Sequence, residues 1–254
     1  MKGLGMKGVG FHSTQVMGAD PKEFPFLFYT TAQGAGQTVV IAWVNGGKLL
    51  TVDWGDGSAP ASHATTLSHI YANPGTKEIS IKPAVQIEGW RNLTSFDINT
   101  CILVGGIPDL SRVSNIQTIY FNINQLLGNI PELSNLPALQ SVRLNSNLLS
   151  GNIPSLLANP LLTSFRAQNN ALTGYVPGGL IIQGNLAEFY VQVNSLPQVS
   201  IDRILRDFVI SLGVPGRVVC LVDLSGIGNS APSNPGGLAD KATLNAAGWT
   251  VTTN

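Results

Sequence analysis

Between residues 93 and 191 the apolar positions follow one short rule, apolar-x-x-apolar-x-apolar, repeated five times. The copies are Leu93-Thr-Ser-Phe96-Asp-Ile98, Ile116-Gln-Thr-Ile119-Tyr-Phe121, Leu139-Gln-Ser-Val142-Arg-Leu144, Leu162-Thr-Ser-Phe165-Arg-Ala167 and Leu186-Ala-Glu-Phe189-Tyr-Val191. Their central apolar residues, at 96, 119, 142, 165 and 189, are separated by 23, 23, 23 and 24 residues. A fixed period of this length predicts a solenoid, because one such unit buries its apolar face only against its neighbours. The first four copies run on alike, to Gly-Gly-Ile107-Pro108, Gly-Asn-Ile130-Pro131, Gly-Asn-Ile153-Pro154 and Gly-Tyr-Val176-Pro177. The fifth keeps Asn194 and then drifts.

The flanks carry different periods. Before the repeats, β-type runs predict strands at 24–29, 38–43, 48–53 and 77–82, with a shorter one at 69–71. Asn45-Gly-Gly47 and Asp56-Gly57 punctuate them as hairpin turns do. Residues 1–23 have many glycines and no helical or strand period, which predicts an extended arm. After the repeats, apolar residues at 201, 204, 205, 208, 209 and 212 mark one face of a helix, with Ser200 as its N-cap and Gly213 as its stop. A strand at 217–224, a polar loop at 225–237, a helix at 238–247 and a strand at 248–253 follow. A solenoid end exposes apolar surface unless it is covered, so 200–254 is expected to be an α/β cap. The predicted fold is mainly β with short helices: arm 1–23, β-sandwich module 24–87, repeats 88–199 and cap 200–254.

The run Leu139 to Pro154 resembles the leucine-rich repeat in its plant-specific subtype, and the likeness extends over roughly residues 88–200. It implies an arc with one concave-face strand per repeat, a return at each Gly-x-Ile-Pro segment, and partner binding rather than catalysis. Val52-Asp53-Trp54-Gly55-Asp56-Gly57, then His69-x-Tyr71 and Pro74-Gly75-Thr76, resembles a PKD-like β-sandwich module. Bacterial surface proteins with leucine-rich repeats place such a hairpin before the repeats. The ending from Ala239 to Asn254 resembles the C-termini of leucine-rich-repeat proteins of phages and of Bacteroidetes-type bacteria.

Charge narrows the function classes. Charged residues make up only 11% of the 254, and 14 basic residues balance 14 acidic ones. Nucleic-acid binding needs clustered positive charge, and no Lys/Arg run is present. No stretch approaches the roughly 20 apolar residues of a membrane span. The start Met1-Lys-Gly-Leu-Gly-Met6-Lys-Gly-Val-Gly lacks an apolar h-region, so no standard secretion signal is expected. Cys101, standing where other repeats carry Asn, and Cys220, in an apolar run, read as small buried residues.

Candidate chemistry is sparse. Asp53 and Asp56 are two carboxylates near a tight turn, whereas Ca²⁺ asks for six to eight oxygens, so they are read as turn-bonding residues with Trp54 packed inward. His12, His63 and His69 lack zinc-like spacing. No nucleophile-elbow, zincin or P-loop motif occurs, so no catalytic residue, metal or cofactor is expected. The strand period gives more. Residues alternating with the buried ones face outward in three columns. The first is Ser95, Thr118, Ser141, Ser164 and Glu188; the second is Asp97, Tyr120, Arg143, Arg166 and Tyr190; the third is Asn99, Asn122, Asn145, Gln168 and Gln192. Two readings stand: a contact strip for a glycan or polar peptide, formed by Tyr120, Arg143, Arg166 and Tyr190 with Asn122, Asn145 and Gln168, or a solvated sheet with amide ladders. The inward series Asn124, Asn147, Asn170 and Asn194 is expected to satisfy backbone groups in the turns.

Four functions follow from these features. The first is a bacteriophage virion protein, a head decoration or tail-associated adhesion protein, docked on capsid or tail proteins through the arm. It would meet a host-surface glycan or protein with its repeats. The others are a bacterial surface adhesin, an intracellular interaction protein disfavoured by the low charge, and a depolymerase disfavoured by the want of acidic pairs.

Overall fold

The computed structural model describes residues 26–32, 36–83 and 89–254. The arm predicted at 1–23, with its His12, lies outside the described residues. Each repeat opens with a three-residue strand: β7 (Ser95–Asp97), β9 (Thr118–Tyr120), β11 (Ser141–Arg143), β13 (Ser164–Arg166) and β15 (Glu188–Tyr190). The first four then return through a second strand: β8 (Leu103–Gly105), β10 (Gln125–Asn129), β12 (Leu148–Ile153) and β14 (Ala171–Tyr175). The two series form two parallel sheets of a β-solenoid, the leucine-rich-repeat architecture the period predicts. Phe96, Ile119, Val142, Phe165 and Phe189 lie in register across the first sheet and are fully or almost fully buried.

Both sheets continue past the repeats at the N-terminal end. β1 (Phe26–Ala32), β2 (Gln37–Val44), β3 (Leu50–Asp53), β4 (Ala61–His63), β5 (Thr66–Tyr71) and β6 (Gly75–Pro83) form a two-layered module. β1 joins the second sheet beside β8, and β2 joins the first beside β7, both antiparallel. Phe28 touches both Phe96 and Phe121 edge-on at 5.7 Å, so sandwich and solenoid share one apolar core.

The C-terminal region does more than cover the end. α1 (Gln198–Ser211) and α2 (Gly236–Ala246) replace the return strands. Between and after them, β16 (Leu221–Asp223) and β17 (Thr250–Thr252) add two more parallel strands to the first sheet. The sheet therefore runs β17-β16-β15-β13-β11-β9-β7-β2-β5, nine strands in all among the described residues. Arg217 lays its guanidinium over the Trp249 ring at 4.4 Å, at the last turn. The expected cap at Ser200 is corrected. α1 starts at Gln198 after Pro197 with no side-chain cap bond, and Ser200 lies buried inside its first turn. The helix closes on its C-cap Leu212, with Gly213 immediately after it as the expected stop.

The tight corner after each of β7, β9, β11, β13 and β15 holds a non-glycine residue at positive φ: Thr100, Ile123, Ser146, Asn169 and Val193, at 54° to 59°. Such a conformation opposes Cβ to the following carbonyl, most severely for a β-branched residue, and Asn tolerates it best. Ile123 is 52% exposed, so its side chain recovers little by burial. Ile123→Asn is expected to raise the urea-unfolding free energy by about 1 kcal/mol. An unchanged or lower stability would show that Ile123 packing outweighs the strain.

Candidate functional site

The outward columns fall where the strand period places them. Tyr120, Arg143, Arg166 and Tyr190 are in register on β9, β11, β13 and β15, and β16 adds Asp223 beside Tyr190. Asp97, on β7, opens the same column. These side chains engage one another. The Arg143 guanidinium lies over the Tyr120 ring at 4.5 Å, and that of Arg166 over Tyr190 at 5.2 Å. Each tyrosine thus uses one face to hold an arginine.

Arg166 is bound further. Its Nη2 donates to Glu188 Oε1 at 2.8 Å and to Oε2 at 2.9 Å, and its Nε donates to Oε2 at 3.1 Å. Ser164 Oγ donates to the same carboxylate at 2.7 Å. Burial alone would raise the Glu188 carboxyl, but the Ser164 hydroxyl and the Arg166 guanidinium outweigh it and hold it below its ordinary value. The strand period sets Glu188 in the first column without a role; its partner one strand away and two positions along is a relation the linear pattern does not display. Arg143, by contrast, has no hydrogen bond or ion pair among the described residues and is exposed.

The amide column is not a ladder. Asn122, Asn145, Gln168 and Gln192 make no hydrogen bonds to one another, and Asn145 reaches only Ser146 Oγ at 3.5 Å. The amide oxygens of Gln168 and Gln192 have no partner. Both oxygens are buried, so the amides this face presents are those of Asn122 and Asn145.

The inward asparagines stitch successive turns. Asn147 Nδ2 donates to Phe121 O and Leu144 O, each at 3.0 Å, and its Oδ1 accepts Leu126 N–H at 3.0 Å. Asn124, Asn170 and Asn194 repeat the arrangement one turn apart. Asn229 does so again, donating to Val191 O and Leu224 O and accepting from Leu196 N–H, each at 3.0 Å. Asn159 and Gln183, fully buried, form a second inward series, Asn159 donating to Leu133 O and Leu136 O at 2.9 and 2.8 Å. At the first turn Cys101 Sγ instead donates to Val40 O at 2.9 Å. Burial raises the Cys101 thiol to about 11 and the Cys220 thiol to about 12.

The W-G-D-G and H-x-Y segments meet. Trp54 is 2% exposed, the His69 ring stacks on it at 5.0 Å, and Tyr71 Oη donates to Trp54 O at 2.9 Å. Gly55 has φ +71°, and a Cβ there would sit 2.1 Å from Glu78 O. Asp53 and Asp56 accept Gly55 and Ser58 N–H, and Asp56 Oδ2 meets His69 Nε2 at 2.7 Å. Among the described residues no group of three or more His, Cys, Asp or Glu is placed to hold a metal. The Ser58 hydroxyl, with the His69 ring and against burial, holds Asp56 down at about 2. A depressed carboxyl contributes stability that is full above its unfolded value of about 3.9 and is lost as pH falls through the folded value. Stability is therefore expected to fall between pH 4 and 2, and Asp56→Asn to flatten that slope in urea titrations. An unchanged slope would remove Asp56 from the account.

No helix among the described residues is long and apolar enough to cross a membrane. No protein-family model matches the chain, and no curated protein matches it. Solved structures do. The Arabidopsis receptor kinase HAESA, in complex with the peptide hormone IDA and the co-receptor SERK1, is 34% identical over 39% of this chain, with a TM-score of 0.37. The leucine-rich-repeat ectodomain of the Arabidopsis thaliana receptor kinase GASSHO1/SCHENGEN3 is 28% identical over 59%, with a TM-score of 0.44. The functional domain of InlJ from Listeria monocytogenes is 15% identical over 62%, with a TM-score of 0.36. This chain spans 17%, 17% and 34% of their respective lengths. The leucine-rich-repeat architecture stands on this chain's own repeats and sheets.

Proposed function

We propose that the open face of the nine-stranded sheet is a non-enzymatic binding surface. The observation that carries this is the column of Tyr120, Arg143, Arg166 and Tyr190, ordered by cation–π and ion-pair contacts and flanked by the half-buried amides of Asn122 and Asn145. Aromatic and arginine side chains held in place before binding lose little entropy when a partner arrives. The titratable groups of the face serve one another, Glu188 with Arg166, rather than standing free for acid–base work.

In this proposal the chain is a bacteriophage virion protein, a head decoration or tail-associated adhesion protein, with a bacterial cell-surface adhesin as the alternative setting. The likeness of Ala239 to Asn254 to phage proteins and the low-charge composition rich in Asn, Thr and Ser support it. The arm, residues 1–23, would dock on capsid or tail proteins. Finding the chain in purified phage particles by mass spectrometry supports the virion setting, and finding it only in a bacterial envelope replaces that setting with the alternative.

Binding is tested on a printed panel of bacterial-surface glycans and envelope proteins. The double variant Tyr120→Ala/Arg143→Ala is expected to lose about 2 kcal/mol or more, roughly 30-fold in affinity, with an unchanged melting temperature. Equal binding by both proteins, or binding to nothing on the panel, would overturn the reading.

A further inference from the structure

The central column reads Asp97, Tyr120, Arg143, Arg166, Tyr190, Asp223 across six consecutive parallel strands. One of its two cations is paired, and its two carboxylates, at the ends, are held by backbone donors. Arg166 is paired with Glu188 at 2.8 Å. Asp97 accepts the Asn99 N–H at 3.1 Å, and Asp223 accepts the Ser225 N–H at 3.0 Å. Arg143 is the one cation of the column without a hydrogen bond or ion pair among the described residues, with the Glu188 carboxylate acting on it only at longer range. It sits at the middle of the strip, its plane fixed over Tyr120. A planar guanidinium with its donors unused matches a carboxylate bidentately.

The surroundings select what carries that carboxylate. On either side of Arg143 lie Ser141 and Asn145, then at the next strands the matching hydroxyls and amides of the first and third columns. Hydroxyl and amide groups both donate and accept, as ring hydroxyls do. The pattern repeats every strand, about 4.8 Å, whereas an extended peptide advances about 3.4 Å per residue and falls out of step with it. A chain of sugar rings has a repeat near the strand spacing. We infer that this face takes an acidic saccharide, a polymer of uronic-acid type, with one ring carboxylate held by Arg143 and neighbouring hydroxyls on the amide column. The inference rests on the binding reading proposed above and adds the ligand class to it.

The test uses the full chain and four soluble probes in calorimetric titration: an oligogalacturonate, its methyl ester, a neutral oligosaccharide of equal length, and an oligoglutamate. Expected is binding of the free acid at least tenfold tighter than of the ester or the neutral sugar, weakening as salt is added. Arg143→Ala should remove that preference, and Arg143→Lys should restore part of it, both with unchanged melting temperature. Equal binding of acid and ester overturns the inference and leaves a neutral saccharide face. Preference for oligoglutamate overturns it in favour of an acidic peptide. Failure of all four probes, with Tyr120→Ala/Arg143→Ala still losing a partner on the printed panel, overturns it while the binding reading survives. Failure on both overturns the two together.

Discussion

Phe96→Ala is expected to lower the unfolding free energy by about 3–5 kcal/mol, the range for emptying a buried phenyl site. Phe96 is fully buried and stands at the junction: its ring is 6.0 Å from Phe26 and 5.7 Å from Phe28 of the sandwich, and 5.6 Å from Phe121 of the next repeat. Its strand pairs with β2 on one side and β9 on the other. Because the core is shared, the loss should appear in both halves. Urea unfolding followed by tryptophan fluorescence, which is weighted to Trp43, Trp54 and Trp90, should shift together with unfolding followed by circular dichroism. A fluorescence transition that moves while the circular dichroism transition stays put would mean that the two parts fold separately.

The second large effect is at Asn147. Asn147→Ala removes the bonds that Nδ2 donates to Phe121 O and Leu144 O and strands Leu126 N–H in the interior, while the two carbonyls keep Asn124 Nδ2 and Asn170 Nδ2, each at 3.0 Å. Leaving one buried backbone group unpaired costs about 1–3 kcal/mol, and that is the loss expected here. Asn145→Ala, two residues away on the open face, should stay within about 0.5 kcal/mol. Equal losses at the two positions would mean that the inward and outward registers are wrong.

Much of this architecture is legible in the sequence because a repeat states its own register. Once Phe96, Ile119, Val142, Phe165 and Phe189 are aligned, the buried face, the outward columns and the inward asparagines up to Asn194 follow from the strand period. Legibility ends where the period does. α1 stretches one turn so that Val222 follows Phe189 by 33 residues, and α2 stretches the next so that Val251 follows by 29. The strands at 217–224 and 248–253 are legible, but their joining the first sheet is not, and the stitching residue Asn229 lies in the segment read as a loop. Antiparallel pairing of β1 with β8 and β2 with β7 leaves no trace in the repeat, so the division at 87/88 gave no sign that the sheets run through it. Ser200 offered capping chemistry, but helix α1 begins earlier and buries it. The Arg166–Glu188 pair and the seating of Arg143 over Tyr120 depend on rotamers, which column position alone does not set.

The account places recognition on the open face of the nine-stranded sheet and not on the other sheet. Two paired substitutions separate these: Tyr120→Ala/Arg143→Ala on the first, and Leu127→Ala/Leu148→Ala on the second, where the two leucines are in register and 49% and 58% exposed. The most direct measurement is the dissociation constant of each variant for the tightest binder on the printed panel. The account predicts about a 30-fold loss for the first pair and none for the second. The reverse pattern would move the binding surface to the eight-stranded sheet and contradict it.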